Sequence, residues 1–166
     1  MLDHVREALF NILFDKIEGA RVLDAFAGTG LLGLESLSRG AKDVVFVERD
    51  RTTAGLLKAL LEAWKLAGNG RVIVGDYFTV EAQLIRSGPF DLVFIDPPYR
   101  EMVVERALRF LMENQLVSPR GIVVVKHHPK NAPSIPRGWS AVDVRRYGDT
   151  VLTFFGPPGE MKGKND

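Results

Sequence analysis

RVLDAFAGTGLLGLESLSR, Arg21 to Arg39, reads as a strand that passes through a glycine-rich turn into a helix. RVLDAF is the strand and LLGLESLSR the helix. Between them Gly28, Gly30 and Gly33 satisfy G-x-G-x-x-G, and Glu48 follows Gly28 by 20 residues, closing the next strand, DVVFVE. Glycines there let the backbone approach a ligand, and a carboxylate at that place can accept both hydroxyls of a ribose. Strand, glycine turn, helix, strand and acid in that order point to a nucleotide-type cofactor rather than to a tight turn alone.

The same alternation runs outward in both directions. HVREALFNILFDKI predicts an N-terminal helix over 3–16, with Val5, Leu9, Ile12 and Leu13 at helical spacing and Phe10 and Phe14 widening its apolar face. A long helix is predicted from Thr52 to Leu66, with Asp50 near its start, a stripe of Leu57, Leu60, Leu61 and Trp64, and Gly68 just past its end. RVIVG (strand), VEAQLIR (helix), FDLVFID (strand), VERALRFLMEN (helix) and GIVVVK (strand) follow. Short runs rich in valine and isoleucine, separated by helices, argue a parallel sheet covered on both faces. The rhythm breaks at the end, where WSAVDVRRY and TVLTFF are separated only by Gly148 and Asp149, the signature of an antiparallel hairpin. The expected fold is α/β, a doubly wound sheet whose last two strands pair antiparallel, in a single domain over 1–155. Residues 156–166 read as a disordered tail.

Composition narrows the classes. The chain has 166 residues, 46% hydrophobic and 26% charged, enough for one domain that buries roughly two thirds of its unfolded surface. Its longest apolar stretches, LVFI and GIVVV, fall far short of the roughly 18 residues a membrane span needs. No signal-peptide pattern opens the chain, and without cysteine there is neither a disulfide framework nor thiolate chemistry, which suits a cytoplasmic protein. Net charge is +1, so any nucleic-acid surface must come from local clustering.

Two carboxylates narrow the cofactor. Asp24 puts a negative charge at the mouth of its strand, where a dinucleotide would bring an anionic pyrophosphate; S-adenosylmethionine instead carries an ammonium and a sulfonium. The competing reading of Asp24 is a carboxylate that bonds the loop or caps the helix. In GDYF, Asp76 is placed to accept from an adenine amino group, with Tyr77 or Phe78 flanking the ring; Asp76 as an N-cap is the alternative. DPPYR, Asp96 to Arg100, then ends the apolar run FDLVFI. A strand-ending turn would explain the prolines, but not an acid at the edge of the core, which is costly unless paired.

DPPY, DAFAGTGLLGLESLSRGA, FVERD, VREALFNIL and RYGDTVLTFF together resemble the bacterial small-subunit (16S) ribosomal RNA guanine-N2 methyltransferases of the RsmD type, within the wider group that methylates exocyclic amines of bases. The resemblance spans about residues 4 to 155. It implies a seven-stranded, mostly parallel class I (Rossmann-like) methyltransferase sheet with S-adenosylmethionine as cofactor, on Asp24, Phe26, Ala27, Gly28, Gly30, Glu48, Arg49, Asp76 and Tyr77. Asp96, Pro97 and Tyr99 are the expected catalytic residues. A guanine amine is a poor nucleophile because its lone pair is delocalised into the ring. The Asp96 carboxylate and the Pro97 carbonyl would accept its hydrogens and aim the lone pair, while two prolines limit backbone freedom. Tyr99 would stack on the base, a contact of about 1 to 3 kcal/mol.

The base must leave its stack to be reached, so the expected partner is ribosomal RNA or the assembling small subunit, with the enzyme a monomer. Expected substrate contacts are Pro98, Tyr99, Lys126, Arg145 and Arg146. KHHP at 126–129 predicts no metal site, because adjacent strand histidines point apart and no nearby acid or cysteine completes a set. His4 reads as an exposed helix residue.

Two departures stand out. Relatives of that type carry a basic N-terminal extension and an Arg-Pro-Thr segment before the first helix, whereas this chain starts at MLDHVREALF. Lys126 also stands where many relatives have an acid, and is expected either to alter the pocket rim or to add a phosphate contact. Competing functions are an N6-adenine methyltransferase of DNA or RNA and, more remotely, an NAD-dependent reductase or a cofactor-binding module without catalysis.

Overall fold

Apolar runs of the sequence become the strands of one sheet because successive strand residues point to opposite faces and both faces here are covered. The computed structural model describes residues 1–98 and 101–156, the side chain of Glu101 excepted. Tyr99, Arg100 and the expected tail from 157 to 166 lie outside the described residues. In chain order the elements are α1 (Asp3–Ile12), β1 (Arg21–Asp24), α2 (Leu31–Ser38), β2 (Asp43–Glu48), α3 (Arg51–Ala63), β3 (Gly70–Val74) and α4 (Glu81–Ser87). There follow β4 (Phe90–Ile95), α5 (Glu101–Glu113), β5 (Val117–His127), a 3-10 turn (Pro129–Asn131), β6 (Ser140–Tyr147) and β7 (Thr150–Gly156).

The sheet is seven-stranded, in the order β3-β2-β1-β4-β5-β7-β6. β1 to β5 run parallel; β7 pairs antiparallel with both β5 and β6. The α/β sheet and its C-terminal hairpin are as the sequence predicts. Val22, Val44, Phe46, Leu92, Phe94, Val124 and Phe154 form one core with α1, α2 and α3. Their neighbours Leu23, Val45, Val93, Ile95, Val123, Val125 and Phe155 form the other with α4 and α5. Alternation along each strand thus divides the apolar residues between two helix layers.

Three expected boundaries are corrected. α1 stops at Ile12, since Leu13 leaves helical geometry at φ −89° and ψ 7°, and Phe14 is then 67% exposed rather than part of the apolar face. α3 ends at Ala63 where Lys65 takes a positive φ of 56°. Leu57 and Leu61 are buried, but Trp64 is swung out to 58% exposure as the chain turns toward β3. Gly156, expected in the tail, is the last residue of β7 and pairs with Ser140.

Candidate active site

Parallel strands deliver their carboxyl ends to one edge, and three of the acids named above lie on adjacent strands there. Asp24 ends β1, Glu48 ends β2 and Asp96 follows β4, with β1 between the other two. Asp24 is in register with Phe46 and with Phe94, so Glu48 and Asp96 each stand two residues further along. Two residues are about 6 to 7 Å of strand. Asp24 is therefore set deep, 2% exposed, while the other two approach the surface.

Depth dictates its chemistry. Burial pushes Asp24 from 3.8 to about 7; the backbone N–H of Gly33 opposes the shift, and the carboxylates of Asp96 and Glu48 add to it. Gly33 N–H donates to Asp24 Oδ2 at 3.0 Å, tying the end of β1 to the first turn of α2. That turn can come so close to the sheet only because residue 33 lacks a side chain: a Cβ there would lie 2.2 Å from Phe46 Cε1. The turn itself needs left-handed backbone at Gly28 (φ 56°) and Gly30 (φ 83°). Glu48 fastens it from the other side, Oε2 accepting from Gly28 N–H at 2.6 Å and Oε1 from Asp50 N–H at 2.9 Å. Asp24 and Glu48 thus both hold the loop.

The remaining expected cofactor residues separate. Ala27 N–H donates to Val47 O at 2.9 Å, so its part is carried by the backbone. Arg49 is exposed beyond β2. Asp76 Oδ1 accepts from Phe78 N–H at 2.8 Å, while α4 is capped by Val80 without a side-chain bond, so Asp76 shapes the turn after β3 and is not an N-cap. Phe26 and Phe78 are half-buried, with Phe26 5.1 Å from the Tyr77 ring. Tyr77 is not positioned to flank a cofactor. It is 2% exposed, packs on Phe110 at 4.9 Å, and donates its hydroxyl to Ala107 O at 3.1 Å. Burial pushes its ionisation far above the ordinary tyrosine value. Phe78 is the aromatic left near the surface, with the Arg106 guanidinium 3.9 Å from its ring centroid. Sequence reasoning missed Arg106, whose place over Phe78 depends on α5 packing against the turn that follows β3.

On the substrate side, Asp96 and Pro97 are half-buried and Pro98 is exposed. Tyr99, expected to be catalytic, lies outside the described residues. Lys126 does not reach out as a bare phosphate contact: its Nζ lies 3.5 Å from Asp96 Oδ1, both side chains partly buried at 22% and 29% exposure. Lys126, Leu152 and Arg145 share one rank across β5, β7 and β6, so Arg145 projects from the same face as Lys126, two strands away. Arg145 is engaged by Asp143 at 3.0 Å. Arg146 shares a rank with His127 and Val151 on the opposite face and donates to Gly148 O, so the two arginines are not brought together. His127 bonds Thr153 Oγ1 at 2.7 Å, and among the described residues no group of three metal-ligating side chains assembles.

The chain is similar to known proteins over most of its length. A family model described as Conserved hypothetical protein 95 matches residues 1–156. The chain is 38% identical over 165 residues to ribosomal RNA small subunit methyltransferase D of Escherichia coli K12, covering 99% of this chain and 81% of that protein. It is 34% identical over 147 residues to the protein of the same name from Haemophilus influenzae, covering 88% and 76%. Among solved structures, the Escherichia coli protein yhhF superposes with a TM-score of 0.84 at 35% identity, covering 93% of this chain and 86% of that one.

Proposed function

The chain belongs to the Conserved hypothetical protein 95 family, together with ribosomal RNA small subunit methyltransferase D, and from that premise we propose its reaction. It transfers a methyl group from S-adenosylmethionine to the exocyclic N2 amine of a guanine in small-subunit ribosomal RNA, by direct in-line displacement. The observation that carries this reading is the set of three carboxylates, Asp24, Glu48 and Asp96, on adjacent strand ends. Their mutual repulsion helps push Asp24 to about 7. A pyrophosphate would worsen that repulsion, whereas the ammonium and sulfonium of S-adenosylmethionine relieve it.

Asp24, Phe26, Ala27, Gly28, Gly30, Glu48, Arg49, Asp76 and, in place of Tyr77, Phe78 hold the cofactor in this reading. When bound, it supplies an electrophilic methyl carbon. What the chain supplies is aim. Asp96 and the Pro97 carbonyl accept the two amine hydrogens, which localises the nitrogen lone pair, and Pro97 and Pro98 restrict the backbone that carries both acceptors. Orientation of this kind can account for up to roughly 7 to 11 kcal/mol of a barrier. Lys126, by occupying Oδ1 of Asp96, fixes the carboxylate rotamer and leaves Oδ2 for the amine. Tyr99 stacks on the extruded base beside Pro98, and Arg145 meets backbone phosphate. The enzyme acts as a cytoplasmic monomer on RNA or on the assembling subunit.

The test is product identity. Incubating the protein and labelled S-adenosylmethionine with naked ribosomal RNA, small subunits and duplex DNA, then digesting to nucleosides, is expected to yield N2-methylguanosine from the ribosomal substrates. Methyladenine, or label in the duplex alone, overturns the assignment. Asp96→Ala is expected to lower transfer by about 10² to 10³-fold, the scale of a lost preorganised contact, with cofactor affinity unchanged within a few fold. Parallel loss of both would make Asp96 a structural residue.

A further inference from the structure

Arg49, Arg51 and Lys58 line a hollow of about 570 Å³ with Gly55, Val74 and Gly75, between α3 and the end of β3. Arg51, Gly55 and Lys58 stand at i, i+4 and i+7, one stripe of α3. All three cations are exposed, and none forms an ion pair among the described residues. The acids beside Arg49 in sequence are held by other partners: Asp50 Oδ2 accepts from Thr53 N–H and Oγ1, and both Glu48 oxygens accept backbone N–H groups. Three exposed cations therefore line one small concave surface, none of them in a direct ion pair among the described residues.

Gly55 adds a second observation. It is exposed in the interior of α3, where glycine weakens a helix relative to alanine, and an added Cβ would meet nothing within 4 Å. The fold does not require glycine there, in contrast to Gly33. What the bare position provides is a stretch of uncovered helix backbone between two cations, open to close approach by an anion.

We propose that this hollow is a phosphate-binding track for the RNA substrate, on the cofactor side of the site and separate from the Lys126 and Arg145 side. The RNA backbone lies against Gly55 with phosphates between Arg51 and Lys58. The hollow adjoins the active site through chain continuity, since Arg49 follows Glu48 and Gly75 precedes Asp76. This rests on the reading of the substrate as RNA.

Arg51→Ala with Lys58→Ala, and separately Gly55→Ala, test it in the full chain, with Arg49 left in place. The double variant is expected to raise KM for small-subunit ribosomal RNA about tenfold near 0.1 M salt. It should also flatten the slope of log affinity against log salt by about 1.5 to 2, the value for two lost phosphate contacts, with kcat and S-adenosylmethionine affinity within twofold of wild type. Gly55→Ala is expected to raise the melting temperature by roughly 1 to 4 °C while raising KM for RNA several fold, a pairing that mere structural damage cannot produce. Wild-type KM and salt slope in both variants would overturn the proposal, as would weakened S-adenosylmethionine binding in place of weakened RNA binding. Failure of the wild-type protein to methylate RNA would instead overturn the reading beneath it.

Discussion

Tyr77 and Phe78 are neighbours of similar size with opposite fates, and the difference can be measured. Tyr77 spends its hydroxyl on Ala107 O inside the core, so Tyr77→Phe is expected to cost about 1 kcal/mol, the net value of one such bond, and to leave S-adenosylmethionine affinity unchanged. Thermal unfolding and calorimetry read the two quantities. Phe78→Ala is expected to weaken cofactor affinity instead. GDYF shows that an aromatic lies beside Asp76 but not which one, because the two-residue alternation that buries Ile73 and exposes Val74 ends with β3. Lys126 was visible as a departure, but its partner was not, since pairing with Asp96 depends on β4 and β5 lying side by side. A partly exposed ion pair contributes about 0 to 1 kcal/mol. Lys126→Met should thus shift the melting temperature by at most a few degrees while lowering kcat about tenfold, with partial recovery in Lys126→Arg.

Among the elements, the β1–α2 unit was the most legible. Its glycines report backbone geometry directly: Gly28 and Gly30 turn the chain, and Gly33 lets α2 press on β2. Gly33→Ala forces Phe46 or the helix to move, because the new methyl would sit 2.2 Å from Phe46 Cε1. Overpacking of this kind costs typically about 1 to 3 kcal/mol. Since the displaced N–H is the one bonded to Asp24, cofactor affinity should fall together with the melting temperature; a stable variant with full affinity would refute this linkage. The ends of α1 and α3 were less legible for a related reason. Phe14 and Trp64 continue the apolar stripe in the sequence, yet the chain leaves the helix before they can use it. Periodicity reports which side chains favour burial, and the packing of the next element decides where the helix stops.

At the scale of the molecule, the site is a property of sheet order. Asp24, Glu48 and Asp96 are separated by long stretches of chain, and only the succession β2-β1-β4 makes them neighbours. Each acid could be read from the sequence as a strand-end carboxylate, but not the extra depth of Asp24. The folded pKa of about 7 lies above the 3.8 expected for the unfolded chain, so between those values the folded protein holds the extra proton. Stability from this group is full below about pH 4 and is lost as pH rises toward 7, by an amount on the order of 4 kcal/mol at most. Asp24→Asn can still accept from Gly33 N–H but does not titrate, so its stability should be flatter across that window and higher than wild type at pH 8. A bound cation reverses the penalty by favouring the ionised carboxylate. Binding of S-adenosylmethionine at pH 7 should therefore release up to about half a proton, since a group at its pKa is half ionised. Calorimetry in two buffers of different ionisation enthalpy reads that release, which should fade by pH 9 and vanish in Asp24→Asn. Equal heats in both buffers at pH 7 for the wild-type protein would mean that the three carboxylates do not respond to the cofactor's charge, and would remove the electrostatic basis for its choice.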